Sequence, residues 1–263
     1  MTNDEDAETP PRFRPSSFVL RPFTADLHVH TVLSPCAEVE MIPPLIVHQA
    51  LARGLNLIAV TDHNAAANCG AVMQAARDTG LAVLPGMEVQ TVEEVHTLCL
   101  FDTIEQALTW QGTVFDHLPD QANAEDVFGA QYVVDAEGEY VRTETRLLQT
   151  ATDLPLEEVL RRVKTLGGLA IPAHVDRPSY SLLANLGFVP PGLAAPALEI
   201  FRLTDPAAAR ARWPDLAPYP LIRSGDAHRL SEITPALKLT LAAPTIAELA
   251  SALAGQDGRS FTL

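Results

Sequence analysis

A chain of 263 residues with 47% hydrophobic and 19% charged side chains has an ordinary globular composition and enough length for one large core. No apolar run approaches the length of a membrane span, so we expect no membrane partner, and three cysteines with no Cys-x-x-Cys pair argue against a disulfide framework. The net charge of −15 repels a phosphate backbone and weighs against long nucleic acid as a partner. Residues 1–19 are acidic at their start, Pro-rich and without a hydrophobic signal core. They are expected to form a disordered tail ahead of one domain over 20–263, with a cytoplasmic location.

The rest of the chain alternates short β-rich runs with helical stretches, as parallel βαβ units do. Ala25–Thr31 reads as a first strand. A helix follows over Pro43–Arg53, with prolines in its first turn and Gly54 after its end. Leu57–Thr61 is a buried strand, Ala71–Thr79 a helix, and Leu81–Leu84 leads into Pro85-Gly86-Met87-Glu88. Val95–Phe101 is a strand. Residues 113–150 break the alternation: Gln131–Val134 and Glu139–Val141 flank turn chemistry at Asp135 and Gly138, predicting a hairpin within an insertion. Such an insertion serves as a lid or only decorates the surface. Pro155–Leu166 is a helix stopped by Gly167-Gly168, followed by strands at Leu169–Ala173, Ala197–Ile200 and Leu221–Ser224. Thr245–Ala254 reads as a helix capped near Thr245, and Ser260–Leu263 as a terminal strand.

Six of the eight histidines fall on or at the ends of these strands, mostly beside acids. His28 and His30 are separated by one residue, which on a strand aims both side chains the same way. Two imidazoles aimed at one point form a metal-ligand arrangement. Asp26 shares their parity and is placed to orient a ligand. Asp62-His63, Glu88, His96, His174 and Asp226-Ala227-His228 recur at later strands. In a barrel of parallel strands the C-terminal ends share one face, so these groups can converge on one metal site. His48 and His117 read as surface or packing residues, and Cys69 and Cys99 as small core residues.

The ordered set Asp26-Leu27-His28-Val29-His30-Thr31, Thr61-Asp62-His63, Gly86-Met87-Glu88, Glu94-Val95-His96, Ala173-His174 and Asp226-Ala227-His228 resembles the PHP (polymerase and histidinol phosphatase) superfamily. The resemblance implies a distorted (β/α)7 barrel with two or three divalent metal ions, Mn2+, Fe2+ or Zn2+, and phosphoester hydrolysis. It makes His28, His30, His63, Glu88, His96, His174, Asp226 and His228 the ligands, with Glu88 bridging two metals and Asp62 and Asp26 as supporting partners. The sequence departs from the family pattern at Ser34-Pro35-Cys36-Ala37-Glu38, where Cys36 falls at a third-metal histidine. A thiolate there suits Zn2+ or Fe2+. A cysteine packed in a loop gives the same sequence, and Glu38 or Glu40 stands near enough to serve instead.

Paired metals can acidify a water as nucleophile and clamp a phosphoryl group. Asp62, Arg177 and Arg229 are the non-ligand candidates for catalysis. Arg177 and Arg229 lie close after His174 and His228 as phosphate clamps, with Arg202 and Arg223 weaker candidates. The substrate expected is a small phosphorylated metabolite or nucleotide, hydrolysed as a phosphomonoester. One alternative is an amidohydrolase-type hydrolase, which often bridges its metals with a modified lysine; the only lysines here are Lys164 and Lys238. The other is a metal-binding scaffold without turnover.

Overall fold

The computed structural model describes residues 19–263, so the tail expected over 1–19 lies, Val19 apart, outside the described residues. The first half runs β1 (Arg21–Val29), α1 (Pro43–Ala52), β2 (Leu57–Val60), α2 (Cys69–Ala75), β3 (Ala82–Gln90), β4 (His96–Leu100) and α3 (Ile104–His117). A short α4 (Glu125–Phe128) and the hairpin β5 (Tyr132–Val134)–β6 (Tyr140–Thr143) follow. Then come α5 (Leu156–Thr165), β7 (Leu169–Pro172), α6 (Leu182–Asn185), β8 (Leu198–Glu199), α7 (Pro206–Arg212) and β9 (Leu221–Ile222). The chain closes with β10 (Leu237–Leu241), α8 (Ile246–Leu253) and β11 (Ser260–Thr262).

Seven strands form one curled sheet in the order β11-β10-β1-β2-β3-β4-β7, a mixed α/β half-barrel. Strands β8 and β9 pair in parallel as a separate ribbon. A bond from Val175 N–H to the Glu199 carbonyl ties this ribbon to the segment after β7, and a parallel bridge between Val29 and Ala227 returns the chain to β1. The sheet is packed on both faces. Leu57 and Ala59 join one apolar cluster with α8, while Ile58 and Val60 join a larger one with α1, α2, α3 and α5. This is the two-residue alternation of a strand buried on both sides.

The regular repeat expected of a (β/α)7 barrel is broken at β3–β4, which are antiparallel. Only five residues, 91–95, join them, and a parallel pairing needs a crossover of a dozen or more. The turn is made with Glu94 at φ 57°. Its consequence is functional: β4 runs backwards, so His96 reaches the same mouth as the end of β3 from the first residue of its strand. Strand β10 is an antiparallel addition seated against the first half of β1, and β11 pairs antiparallel with β10 at the edge.

Two further differences are local. Helix α3 runs to His117, past residue 113, the expected start of the insertion, and its capping box is legible in hindsight. The Thr103 side chain accepts from Gln106 N–H and the Gln106 side chain from Thr103 N–H. The alternating Leu237-Lys238-Leu239-Thr240-Leu241 forms strand β10, an element beyond those expected from the sequence.

The insertion is fastened at its base. The Asn68 side chain donates to the Tyr132 carbonyl (3.0 Å) and the Thr31 hydroxyl (2.9 Å), and accepts from Val134 N–H (3.0 Å). Asn64, at φ 50°, donates to the Leu148 and Thr150 carbonyls at 2.7 and 2.8 Å. Replacing Asn68 by alanine strands the buried Val134 N–H, which costs about 1–3 kcal/mol. Urea unfolding should show that loss for Asn68→Ala, and amide exchange across 132–143 should accelerate more than exchange in β2.

Candidate metal centre

The centre is built around one carboxylate. Glu88, at 1% exposure, sits near the end of β3, and five imidazoles lie within 3.5 Å of its oxygens. His96 Nδ1 is 2.9 Å and His174 Nε2 3.0 Å from Oε1; His63 Nδ1 is 3.0 Å from Oε2. His28 and His30 approach at 3.3 and 3.5 Å. Burial alone would push the Glu88 carboxyl up, but the surrounding His96, His28 and His174 hold it well below the usual carboxylate range.

The partners behind these rings fix which nitrogens face inward. Glu199 Oε2 accepts from His28 Nδ1 at 3.1 Å, so the His28 lone pair is on Nε2. The Ser34 hydroxyl donates to Asp62 Oδ1 at 2.7 Å and therefore accepts from His30 Nδ1 at 2.9 Å, which leaves the His30 lone pair on Nε2 as well. Those two Nε2 atoms are 3.1 Å apart. Asp226 Oδ1 lies 3.4 and 3.6 Å from them. Neither Asp226 Oδ1 nor Glu88 Oε2 makes a hydrogen bond, although both are buried. Converging lone pairs and bare carboxylate oxygens repel one another unless a cation lies among them, so this donor set fits a divalent metal.

Three groups have their ligand atoms within 4.8 Å of one another: His28, His30 and Asp226; His63, Glu88 and His96; and His30, His63 and His228. These clusters could hold metal ions. His174 joins through Glu88 and through its backbone N–H, which donates to Glu199 Oε2 at 3.0 Å. Cys36 is not in the tight groups. It is exposed on the rim, and although burial of its sulfur raises the thiol, His63 and hydrogen bonds from His228 and His63 bring it down to about 6. Glu38 pairs with Arg229 at 3.2 Å, and Glu40 is exposed.

The remaining expected residues fall into place around this core. Asp62 is fully buried behind the ligands and accepts from Thr31 N–H, the Thr31 hydroxyl and Ser34, each at 2.7 Å. It holds the His30 support rather than facing the cavity. Asp26 does not reach a ring. Its carboxylate accepts from the backbone N–H groups of His28 (3.2 Å), Gly225 (2.8 Å) and Thr234 (3.0 Å), and so fixes the loop that carries Asp226 and His228. Glu199 does the orienting expected of Asp26. Its signal was an acid inside the apolar run Ala197-Leu198-Glu199-Ile200. His48 is exposed on α1 and His117 pairs with Asp153, both away from the centre. Cys69 and Cys99 are buried, and burial pushes their thiols up.

Backbone strain is concentrated here. His174 has φ 28° and Asp226 φ 49°, conformations that L-residues rarely adopt. Gly225 permits the close approach beside Asp226: a β-carbon there would lie 2.7 Å from the Glu232 carbonyl oxygen and closer still to the Asp26 carboxylate. The β1–β2 register also shifts between Asp26 and Val29, the stretch that carries His28.

Outside the ligands lies a cavity of about 640 Å3 whose wall includes Arg177, Arg202 and Arg229. Arg177 donates to Asp226 Oδ2 at 2.6 Å. Arg202 donates to the Gly225 carbonyl and to Glu232, each at 3.0 Å, and Glu232 accepts from His228 N–H at 2.9 Å. Arg229 is the most exposed of the three, and Arg223 is not part of this wall. Lys164 and Lys238 lie on α5 and β10, and neither belongs to the centre. Because Glu199 sets the His28 tautomer, Glu199→Ala should weaken binding of a divalent metal by roughly 10–100-fold. Competition against a chromophoric chelator checks this, with an unchanged circular-dichroism spectrum excluding unfolding.

The PHP domain model matches residues 26–167, more than half of the chain. A 5'-3' exoribonuclease of Haemophilus influenzae is 33% identical over 88 residues, 32% of this chain and 31% of that protein. The crystal structure of the lesion-specific endonuclease PfuEndoQ from Pyrococcus furiosus superposes with a TM-score of 0.69 at 21% identity, covering 92% of this chain and 58% of that one. Endonuclease Q in complex with a 27-mer duplex carrying an abasic lesion gives a TM-score of 0.64 at 19% identity, covering 91% and 58%. The chain thus spans under a third of the curated relative and about three-fifths of the endonuclease chains. These three, an exoribonuclease and two endonuclease structures, correct the expectation of a small phosphorylated partner and no long nucleic acid. Net charge is a poor guide because −15 sums the whole chain. The wall of the mouth carries three arginines beside Glu88, Asp176, Asp226 and Glu232, and divalent ions held by the ligands would add the positive charge that a phosphate meets there. By the match of its first strand through its fifth helix, and by the ordered donors that converge on Glu88, the chain belongs to the PHP domain family.

Proposed function

We propose that this chain is a metal-dependent phosphoesterase that cleaves a phosphodiester of a nucleic acid. The observation that carries the reading is the donor set around Glu88, with buried lone pairs facing inward and an arginine-bearing cavity directly outside it. His28, His30 and Asp226 would hold one ion, and His63, Glu88 and His96 a second, with Glu88 between them and His174 beside it. Divalent ions held there would supply Lewis acidity to a phosphoryl group and lower the pKa of water.

The chain's own residues do the rest. Glu199, and Ser34 with Asp62 behind it, keep His28 and His30 in the tautomer that presents Nε2. Arg177, held at 2.6 Å from Asp226 Oδ2, stands where a guanidinium can donate to a phosphate oxygen and offset its growing charge. Arg229, more exposed on the same wall and paired with Glu38 at 3.2 Å, is the second candidate donor to a phosphate oxygen. We also propose that Cys36, on the cavity wall with His63 and His228, is a thiolate donor, in place of the histidine that the family resemblance implies. The amidohydrolase alternative lacks its lysine, because Glu88 occupies the centre of the cluster.

The test is direct. Purified chain supplied with Mn2+, Fe2+ or Zn2+ should cut labelled oligonucleotides, and chelation or Asp226→Ala should abolish cutting without unfolding. A metal-loaded protein that cleaves no phosphodiester would instead be a scaffold. Arg177→Ala should lower kcat by about 10²-fold while metal content stays unchanged. For Cys36, the Co2+-substituted protein should show a thiolate charge-transfer band that Cys36→Ser removes. If the band is absent from the unmutated protein, the thiol is not a ligand.

A further inference from the structure

Arg177 and Arg229 are the candidates for phosphate, but a different residue on the same wall suits another part of a substrate. Tyr180 is 43% exposed, lines the cavity, and has a φ of 53°, a strained conformation for an aromatic residue. Its position is fixed from several sides. Its carbonyl accepts from His96 N–H at 3.2 Å, and the next residue, Ser181, caps α6 through Ala184 N–H and donates to the Arg177 carbonyl. One face of the ring is stacked on His96, with centroids 5.0 Å apart and planes 18° from parallel. His96 in turn touches Glu88 at 2.9 Å. The half-buried Phe201 lines the same cavity and carries the Arg202 guanidinium 5.5 Å over its ring.

A rigid, exposed aromatic ring beside the ligands suits a flat π surface better than a phosphate. The cavity volume of about 640 Å3 is that of a small-ligand pocket, so a base can occupy it only if it has left its stack. Resting on the phosphodiesterase reading above, we infer that Tyr180 is a specificity-determining residue that stacks one unpaired nucleobase next to the scissile phosphodiester. The substrate therefore engages as a single strand or a locally opened one. Stacking of this kind tolerates any base, so it sets strandedness rather than sequence.

The experiment uses Mn2+-loaded full chain with labelled single strands of DNA and of RNA and the matching duplexes. In one series, a single base is removed at successive positions around the cleaved bond. For the unmutated protein, base removal at one position should lower kcat/KM by about 5- to 150-fold, and duplexes should be cut more slowly than single strands. Tyr180→Ala should show the same loss on the intact strand and no further loss when that base is missing, while Tyr180→Phe stays near the unmutated rate. Metal content measured alongside separates stacking on substrate from support of His96. If Tyr180→Ala cuts intact strands at the normal rate, or loses equally on intact and base-free strands, the stacking role is overturned while the phosphodiesterase reading stands. An unmutated protein that cuts no strand overturns both, and the DNA and RNA arms identify which sugar is accepted.

Discussion

The structure depends on one costly choice, a carboxylate buried to 1% exposure near the end of a strand. Glu88 is stable there because imidazoles from five other positions surround it, His28 and His30 from the end of β1, His63 from just after β2, His96 from β4 and His174 from the segment after β7. The arrangement can be met only if β1, β2, β3, β4 and the segment after β7 deliver their ends to one mouth. The order of the sheet and the location of the centre are therefore a single constraint.

The supporting contacts have a common form. Side chains just outside the centre bond to backbone or ring nitrogen and leave the inward atoms bare. Glu199 serves both His28 and the backbone of His174. Asp26 reaches across to Gly225 and Thr234. Strained φ angles at His174 and Asp226 persist because these neighbours over-determine them. Asn64 and Asn68, just after the Asp62-His63 pair, carry the same fixing outward to the insertion.

Local chemistry made much of this legible in the chain itself. The helix at Pro43–Ala52 follows from its prolines and from Gly54, the cap of α8 from Thr245, and β2 from an unbroken apolar run. The eight ligand candidates were readable from their recurrence at strand ends, and the structure brings all of them together. Helix α3 was missed although its capping box was present, because Ile104–Gln111 has only a modest apolar stripe and sits between louder signals. Glu199 was missed because a single acid in an apolar strand has no spacing partner in sequence; its partners, His28 and His174, are 171 and 25 residues away.

The sequence by itself determined the donor types, their order and the elements that carry them, since strand periodicity and helix termini are local properties. It also determined the family, because the ordered set of short motifs is specific where each motif alone is not. Only the tertiary structure decided direction and partnership. The five-residue connection reverses β4 and brings His96 in from the other end, and loop closure sets Asp26 on backbone groups while Glu199 takes the His28 ring. Likewise, which arginines and which carboxylates meet at the mouth is decided by the fold, and no sum over the chain contains that information.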